Sequence, residues 1–516
     1  MALLRRASTV ASLTLASRLL GFARDAGVAA LFGTGVVADA SVAGLSLAQL
    51  ARRLLGEGAL NAAVLPALTP VDGAARRQRA GAAVLIFAVT GLALASALAV
   101  FMPQVIAVLA PGFPDDGARE AGAVLAGRLT VLGVPLALTA GTLAALANAG
   151  GALARPAMAP AAGNVAVLAL LGLLWLSGAH AMAMETALVW LSAGVMAGAV
   201  TQLVLIFFAV PTGTLALPSR AALRAALPML AAAGPSLLAA GLPQLRFLIA
   251  AAAASGIPGG IAALFYATRL VELPLGLIGA SAGAVLLPAL AARGGDGEET
   301  GTQTGAQTGA LGVEAALALS LPAALGLAVL AHPIVIVLFQ RGAFDPAAAE
   351  LTAQALALLA LTLPLQAVEK VLAAIAFAAG FGRDVTRAAL IGLPVGALTG
   401  FLAAGPLGLA GPALGVLAAS AVSLAALAGT LIRRGLLRLP GTNRRRLIGL
   451  LAAGLLMAGA VGTARLPLEG MLGGGGLYAI AALAALVLAG MLAYGAGAVL
   501  FGGLSPAALK AALRKR

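Results

Sequence analysis

The sequence contains no cysteine, two histidines, and few charges for its 516 residues: 10% are Asp, Glu, Lys or Arg. Each scarcity removes a class of function. Without cysteine there is no disulfide, no thiolate nucleophile and no cysteine-based metal site. His180 and His332 stand far apart in the chain and do not suggest a metal site. A soluble domain carries about 25% charged residues, so the low charge argues against a water-exposed globule. Acidic residues are scarcer than basic ones, 18 against 32, for a net charge of +14. That excess does not indicate nucleic-acid binding. The basic residues fall in short runs between apolar segments, a pattern that fits the positive-inside rule for membrane proteins. No P-loop pattern is present, so nothing suggests ATP hydrolysis.

What is abundant is apolar: 61% of residues are hydrophobic. No soluble fold has the interior to cover that much apolar surface, so lipid must be the solvent for much of it. Apolar segments run at about 8–32, 37–68, 82–110, 121–147, 157–177, 184–210, 223–254, 260–290, 312–339, 348–379, 387–404, 409–432, 447–464 and 475–502. An all-α polytopic membrane protein with about 14 transmembrane helices is therefore expected. Pro135, Pro243, Pro274 and Pro364 are candidate kink sites inside them. The first segment is not read as a cleaved signal peptide, because Arg18 and Arg24 interrupt it.

Orientation follows from counting. With both termini in the cytoplasm, the cytoplasmic segments and their helix edges hold 21 of the 32 Lys and Arg, and the outer loops hold three, Arg119, Arg341 and Arg465. That bias favours this orientation. An internal repeat points the same way. Val64–Leu68 (VLPAL) closes the second segment and Leu286–Leu290 (LLPAL) the eighth, each after a long helix and before a polar loop. The chain is thus read as two six-helix lobes in parallel pseudo-repeat, 1–210 and 211–435, with two C-terminal helices and a basic tail in 436–516. Gly294–Ala310, rich in Gly, Thr and Gln, reads as a flexible linker. The tail 505–516 has two readings, a basic amphipathic helix on the inner leaflet or a plain positive-inside end.

The informative residues are charges at bilayer depth. The first segment holds Ser17, Arg18, Arg24 and Asp25; the second holds Asp39 near its outer end, then Arg52, Arg53 and Glu57. An Arg at the centre of a spanning helix costs about 2.5–3.5 kcal/mol on insertion scales, so such groups face a partner or a watery cavity. Arg18 and Asp25, seven apart, share a helix face, and Arg53 and Glu57, four apart, can pair. Later segments add Arg246, the Arg269–Glu272 pair, Glu369 and Lys370. The guanidinium fork suits phosphate through bidentate, charge-assisted bonds. Arg18, Arg24, Arg52 and Arg269, with Ser17, are the candidate contacts to an anionic headgroup. The pairs Arg53–Glu57 and Arg269–Glu272 either serve that ligand or lock helices together. Arg128 reads as a snorkelling side chain at a helix end.

Those residues resemble a known family. Ala16–Asp25 (ASRLLGFARD) is similar to the opening helix of the MurJ (MviN) lipid II flippases. It is followed at similar spacing by Phe32–Gly35, Ala38–Ala40, Arg52–Arg53, Glu57–Ala59 and Pro66. Tyr266–Pro274 (YATRLVELP), Leu338–Phe344 (LFQRGAF), Ala110–Phe113, Pro156–Pro160 with Asn164, and Lys370–Leu372 also fit. Thr268 stands where the family usually has Asp, and Ala48–Gln49 where it commonly has Pro-Asn.

The resemblance implies the multidrug/oligosaccharidyl-lipid/polysaccharide exporter fold and alternating access. It implies as substrate lipid II, the undecaprenyl-diphosphate-linked peptidoglycan precursor, moved from the inner to the outer leaflet of the bacterial cytoplasmic membrane. It implies headgroup contact by Ser17, Arg18, Arg24, Arg52 and Arg269, with Asp25, Asp39, Arg53, Glu57, Glu272 and Lys370 as supporting charges or gates. Expected partners are lipid II, membrane lipids and, as candidates, cell-wall synthesis proteins; neither cofactor nor nucleic acid is expected. The rival readings are an exporter of drugs or of another polyprenyl-linked glycan, a membrane glycosyltransferase, and a non-transporting scaffold. A drug exporter is expected to carry acidic ion-coupling sites in place of the arginines. For an enzyme, Asp115, Asp116 and Glu120 are the acidic candidates, and they lack a metal motif.

Overall fold

The computed structural model describes residues 2–56, 60–178, 182–291, 298–437 and 441–503. These residues form helices joined by short turns, with no strand among them. Glu57, His180 and the tail 505–516 lie outside the described residues. Every apolar stretch of the sequence is occupied by one helix or by two in succession.

By packing, the chain divides into two units. The first comprises Met1–Ala262 and Gly342–Phe344. It runs through α1 (Ala2–Phe32), α2 (Val36–Gly56), α3 (Asn61–Leu68), α4 (Gly73–Val100), α5 (Met102–Leu109), α6 (Gly117–Thr130), α7 (Gly133–Ala149), α8 (Ala154–Leu176), α9 (Met184–Phe207), α10 (Arg220–Ala226) and α11 (Pro228–Ala254) to the first turn of α12 (Gly260–Ala291). Helix α2 packs on α6 and α7, α8 packs between α1 and α9, and α11 lies on α2, α3 and α5. The α2–α6 contact is close because Gly44 lacks a side chain. A Cβ there would sit 2.5 Å from the Ala123 carbonyl oxygen and 2.8 Å from the Ala126 methyl, as small-residue packing between bilayer helices requires.

The second unit comprises Ala263–Arg341 and Asp345–Arg516. Beyond α12 it contains α13 (Glu298–Val329), α14 (Ala331–Phe339), α15 (Pro346–Ala360), α16 (Thr362–Ala378), α17 (Gly382–Leu407), α18 (Ala410–Arg433), α19 (Gly441–Ala464), α20 (Glu469–Gly473) and α21 (Gly476–Leu500). Asp345 caps α15 by accepting from the Ala348 N–H at 2.7 Å, with Pro346 opening the helix. Helices α19 and α21 pair and pack on α13. There the Tyr494 hydroxyl donates to the Ala318 carbonyl at 2.8 Å and Arg446 meets Glu314 at 3.3 Å.

Nine helical stretches among the described residues are long and apolar enough to cross a membrane, ten when the bent pair α15–α16 counts as one. Helices α1 and α2, which carry the deep charges, are not among the nine. Large apolar side chains on the outside of the helices are exposed, Leu398, Leu477 and Leu492 among them, as contact with lipid requires.

Two expectations change. The linker of residues 294–310 is helical from Glu298 onward, as the opening of α13. The stretch is continuous with the apolar residues that follow, so the helix they form carries back to Glu298. Of the four prolines, Pro364 follows the 41° bend between α15 and α16, and Pro135 follows the break between α6 and α7. The helices holding Pro243 and Pro274 run unbroken, since bilayer helices re-satisfy freed backbone groups through neighbours.

Candidate functional site

Asp39 is the best-connected of the expected site residues. It lies in the first turn of α2, fully buried. Its Oδ1 accepts from the Ala262 N–H at 2.8 Å, and its Oδ2 from the Gly259 N–H at 2.9 Å. Those amides open α12, so a carboxylate from another helix supplies the cap and meets the positive end of the α12 dipole. Arg119, also buried, approaches Asp39 Oδ2 with Nη1 at 3.4 Å and donates to the Ser255 carbonyl at 2.9 Å. Its Nε bonds Asp116 Oδ2 at 2.9 Å, and its guanidinium lies 4.8 Å over the Phe113 ring. Asp116 in turn caps α6. The Arg119 backbone N–H, first, and then its side chain hold the Asp116 carboxyl below the ordinary carboxylate range. The Ser255 hydroxyl accepts from the Gly112 N–H at 2.8 Å.

This network ties one end of α2, the loop before α6 and the turn before α12 into a single latch. Gly33–Gly35 and Gly342–Phe344 lie at the same end. The Ala343 N–H donates to the Ala30 carbonyl at 2.8 Å, and Gly33, at φ 58°, faces the Ala343 carbonyl so closely that a Cβ would clash. By sequence Arg119 reads only as an outer-loop charge. The signal that could have marked it is Asp116 three residues before it, which makes a helix-capping pair.

A second network holds the first helix. Arg24 is buried and spends its fork on its neighbour: Nε and Nη2 donate to Asp25 Oδ1 at 2.9 and 2.7 Å. Its Nη1 donates to Asn164 Oδ1 on α8 at 3.1 Å, and Asn164 Nδ2 returns a bond to the Ser17 carbonyl at 3.1 Å. Ser17 is half-buried and Arg18 exposed on α1. Asn164 therefore aligns Arg24 and the Ser17 backbone on one side of α1.

Arg52 and Arg53 are half-buried near the end of α2. Arg53 Nη1 donates to Gln244 Oε1 on α11 at 2.7 Å, a partner 191 residues away that no local spacing marks. In the second unit, Arg269 Nη1 bonds Glu272 Oε2 at 2.8 Å, and the guanidinium lies 4.5 Å over the Phe265 ring. Thr268 turns its hydroxyl back onto the Leu264 carbonyl at 2.8 Å, so it does not replace the missing carboxylate. Lys370 is exposed on α16. Arg128 donates to the Ala99 carbonyl at 3.2 Å and so satisfies the end of α4. Among the described residues no group of three or more His, Asp or Glu is arranged to hold a metal.

Arg24, Arg119 and Arg269 are thus ion-paired within an all-helical scaffold that carries nine membrane-length apolar helices among its described residues. Solved structures agree on the fold. A lipid II flippase MurJ in an inward-closed conformation aligns at TM-score 0.79 and 18% identity, covering 95% of this chain and 98% of that one. An inward-facing multidrug resistance MATE transporter of the MOP superfamily aligns at 0.64 and 18% identity, covering 83% and 98%. The fold is the one these two solved structures share.

The family described as lipid II flippase MurJ matches residues 28–468. A probable lipid II flippase MurJ of Rhizobium meliloti is 33% identical over 406 residues, covering 76% of this chain and 72% of that protein. One from Rhizobium tropici is 31% identical, covering 100% and 97%. The chain belongs to the MurJ family.

Proposed function

We propose that this chain is a lipid II flippase that moves the undecaprenyl-diphosphate-linked peptidoglycan precursor from the inner to the outer leaflet of the cytoplasmic membrane. The observation that carries the reading is the family match across residues 28–468. The arginine set of α1, α2 and α12 supplies the chemistry. Arg18, Arg52 and Arg269, with Ser17, contact the diphosphate, and Arg24 joins them when it exchanges a bond to Asp25 or Asn164 for one to phosphate. Guanidiniums held by partners are pre-aimed, so less is lost on binding than from free side chains. Asp25, Asp39, Arg53, Glu57, Glu272 and Lys370 form the supporting charge network. The organisation in this proposal is 14 spanning helices with cytoplasmic termini, in lobes 1–210 and 211–435 with 436–516 appended. Lipid II and the surrounding lipids are its partners, cell-wall synthesis proteins are candidates, and its activity is transport rather than catalysis.

In this orientation the Asp39–Arg119 network, all of it within the first unit, lies at the outer end. Alternating access requires it to rearrange after headgroup capture. A substrate drives that change only by its differential affinity for the two states. Membrane potential adds about 2.3 kcal/mol per charge per 100 mV. A strain depleted of its own lipid II flippase is expected to resume growth when it expresses this chain. Lysis despite normal membrane levels would favour an exporter of another lipid-linked glycan.

A further inference from the structure

The second unit carries an open recess of about 400 Å³ between the start of α17 and the end of α18, away from the residues assigned above. Asp384, Arg387, Ile391, Thr430, Arg433 and Arg434 line it, three guanidiniums against one carboxylate. The carboxylate is buried and acts as a brace. Asp384 lies 2.9 Å from Arg434, without hydrogen-bond alignment, and 3.6 Å from Arg387. Arg434 also lies 4.0 Å over the Phe381 ring. The remaining positive charge is unspent. The Arg387 side chain is 73% exposed. Among the described residues, Arg433 makes only a long bond, 3.5 Å, to the Thr430 hydroxyl.

What leads away from the recess is apolar. Ile391, at its mouth, begins a stripe on α17 that continues through Val395, Leu398 and Leu402, all exposed. The spacing of four, three and four residues keeps them on one helix face. At 1.5 Å per residue the stripe is about 16 Å long, about one leaflet of a hydrocarbon core roughly 30 Å thick. A cationic recess at the end of a leaflet-long apolar track matches a molecule with a phosphate head and an acyl tail.

We infer that this recess binds the phosphate headgroup of an anionic phospholipid, whose acyl chain lies along Ile391–Leu402. The inference rests on α17 and α18 crossing the bilayer, not on which lipid the protein transports. A dissolved anion has no use for the stripe. Positive-inside charges that serve only topology need neither a buried carboxylate brace nor an aromatic stack.

The absence of cysteine allows a clean test. The full chain carrying Val395→Cys, labelled with a fluorophore, is reconstituted in phosphatidylcholine vesicles and titrated with chain-brominated phosphatidylglycerol or phosphatidylcholine. Phosphatidylglycerol is expected to quench at a lower mole fraction, by roughly fivefold for each arginine engaged. A label at Leu456→Cys on α19, also exposed to lipid, is expected to show no such difference. Arg387→Ala with Arg433→Ala should erase the preference, and the Lys versions of both should keep part of it. Both side chains are exposed, so the fold is not at stake. Equal quenching by the two lipids at Val395→Cys, or a preference that survives the double alanine change, would overturn the inference. So would loss of the preference in millimolar inorganic phosphate, which assigns the recess to a soluble anion. Displacement by stoichiometric undecaprenyl diphosphate would instead assign it to the transported lipid.

Discussion

Replacing Asp39 with alanine is expected to abolish support of growth in a flippase-depleted strain and to loosen the latch at its end of the molecule. The carboxylate serves the Gly259 and Ala262 amides and faces the buried Arg119. Removing one partner of a buried charge pair costs about 3–5 kcal/mol, because the other is left uncompensated. That is enough to shift a conformational equilibrium of a few kcal/mol almost completely. A reporter thiol at Ile257→Cys, in a chain with no other cysteine, should react with an impermeant maleimide several times faster in the Asp39→Ala background. Asp39→Asn keeps an acceptor oxygen for one of the two amides, turns a donor toward the other and loses the charge, so a partial effect is expected. Unchanged labelling and normal growth in Asp39→Ala would remove the latch from the mechanism.

The second large effect is at Arg24. Arg24→Ala strips three hydrogen bonds from a buried site and leaves Asp25 and the Asn164 oxygen without the guanidinium. Loss of growth support is expected. That loss alone does not separate a structural brace from a substrate contact, because the ion pair is tight enough for the first. The double change Arg24→Ala, Asp25→Ala removes both charges and with them the buried-charge penalty. Membrane levels equal to those of the unaltered chain are expected while growth does not return, because the headgroup has lost its fork. Growth restored by the double change would make Arg24 a brace only. Arg24→Lys, which cannot donate from a planar fork, is expected to retain only part of the activity.

Much of the fold could be read from the chain because the bilayer imposes simple rules. Apolar length marks the helices, and the Arg269–Glu272 pair follows from a spacing of three on one helix. The partners across helices were beyond reach for specific reasons. Asp39 was singled out as a deep acid, but its strongest ligands are backbone amides 220 and 223 residues away, and an amide has no letter in a sequence. Arg24 and Asp25 are adjacent, and adjacent residues on a helix ordinarily diverge. Only the buried setting beside Asn164 turns the long Arg24 side chain back onto its neighbour. Gln244 as the partner of Arg53 depends on how α11 lies against α2, which no local pattern encodes. The low-complexity stretch misled in the other direction. Its Gly and Thr content suggested a linker, while continuity with the apolar body of α13 makes it helical from Glu298.

The proposed flippase activity requires that Arg18, Arg24, Arg52 and Arg269 bind phosphate and carry one polar head across. The direct measurement is the amount of lipid II reachable by an impermeant probe on the outer face of cells whose own flippase has been depleted. Expression of this chain should raise that amount to the undepleted level, and the Arg24→Ala, Asp25→Ala form, present at equal membrane density, should leave it at the depleted level. No rise with the unaltered chain, or an equal rise with the doubly altered one, would contradict it.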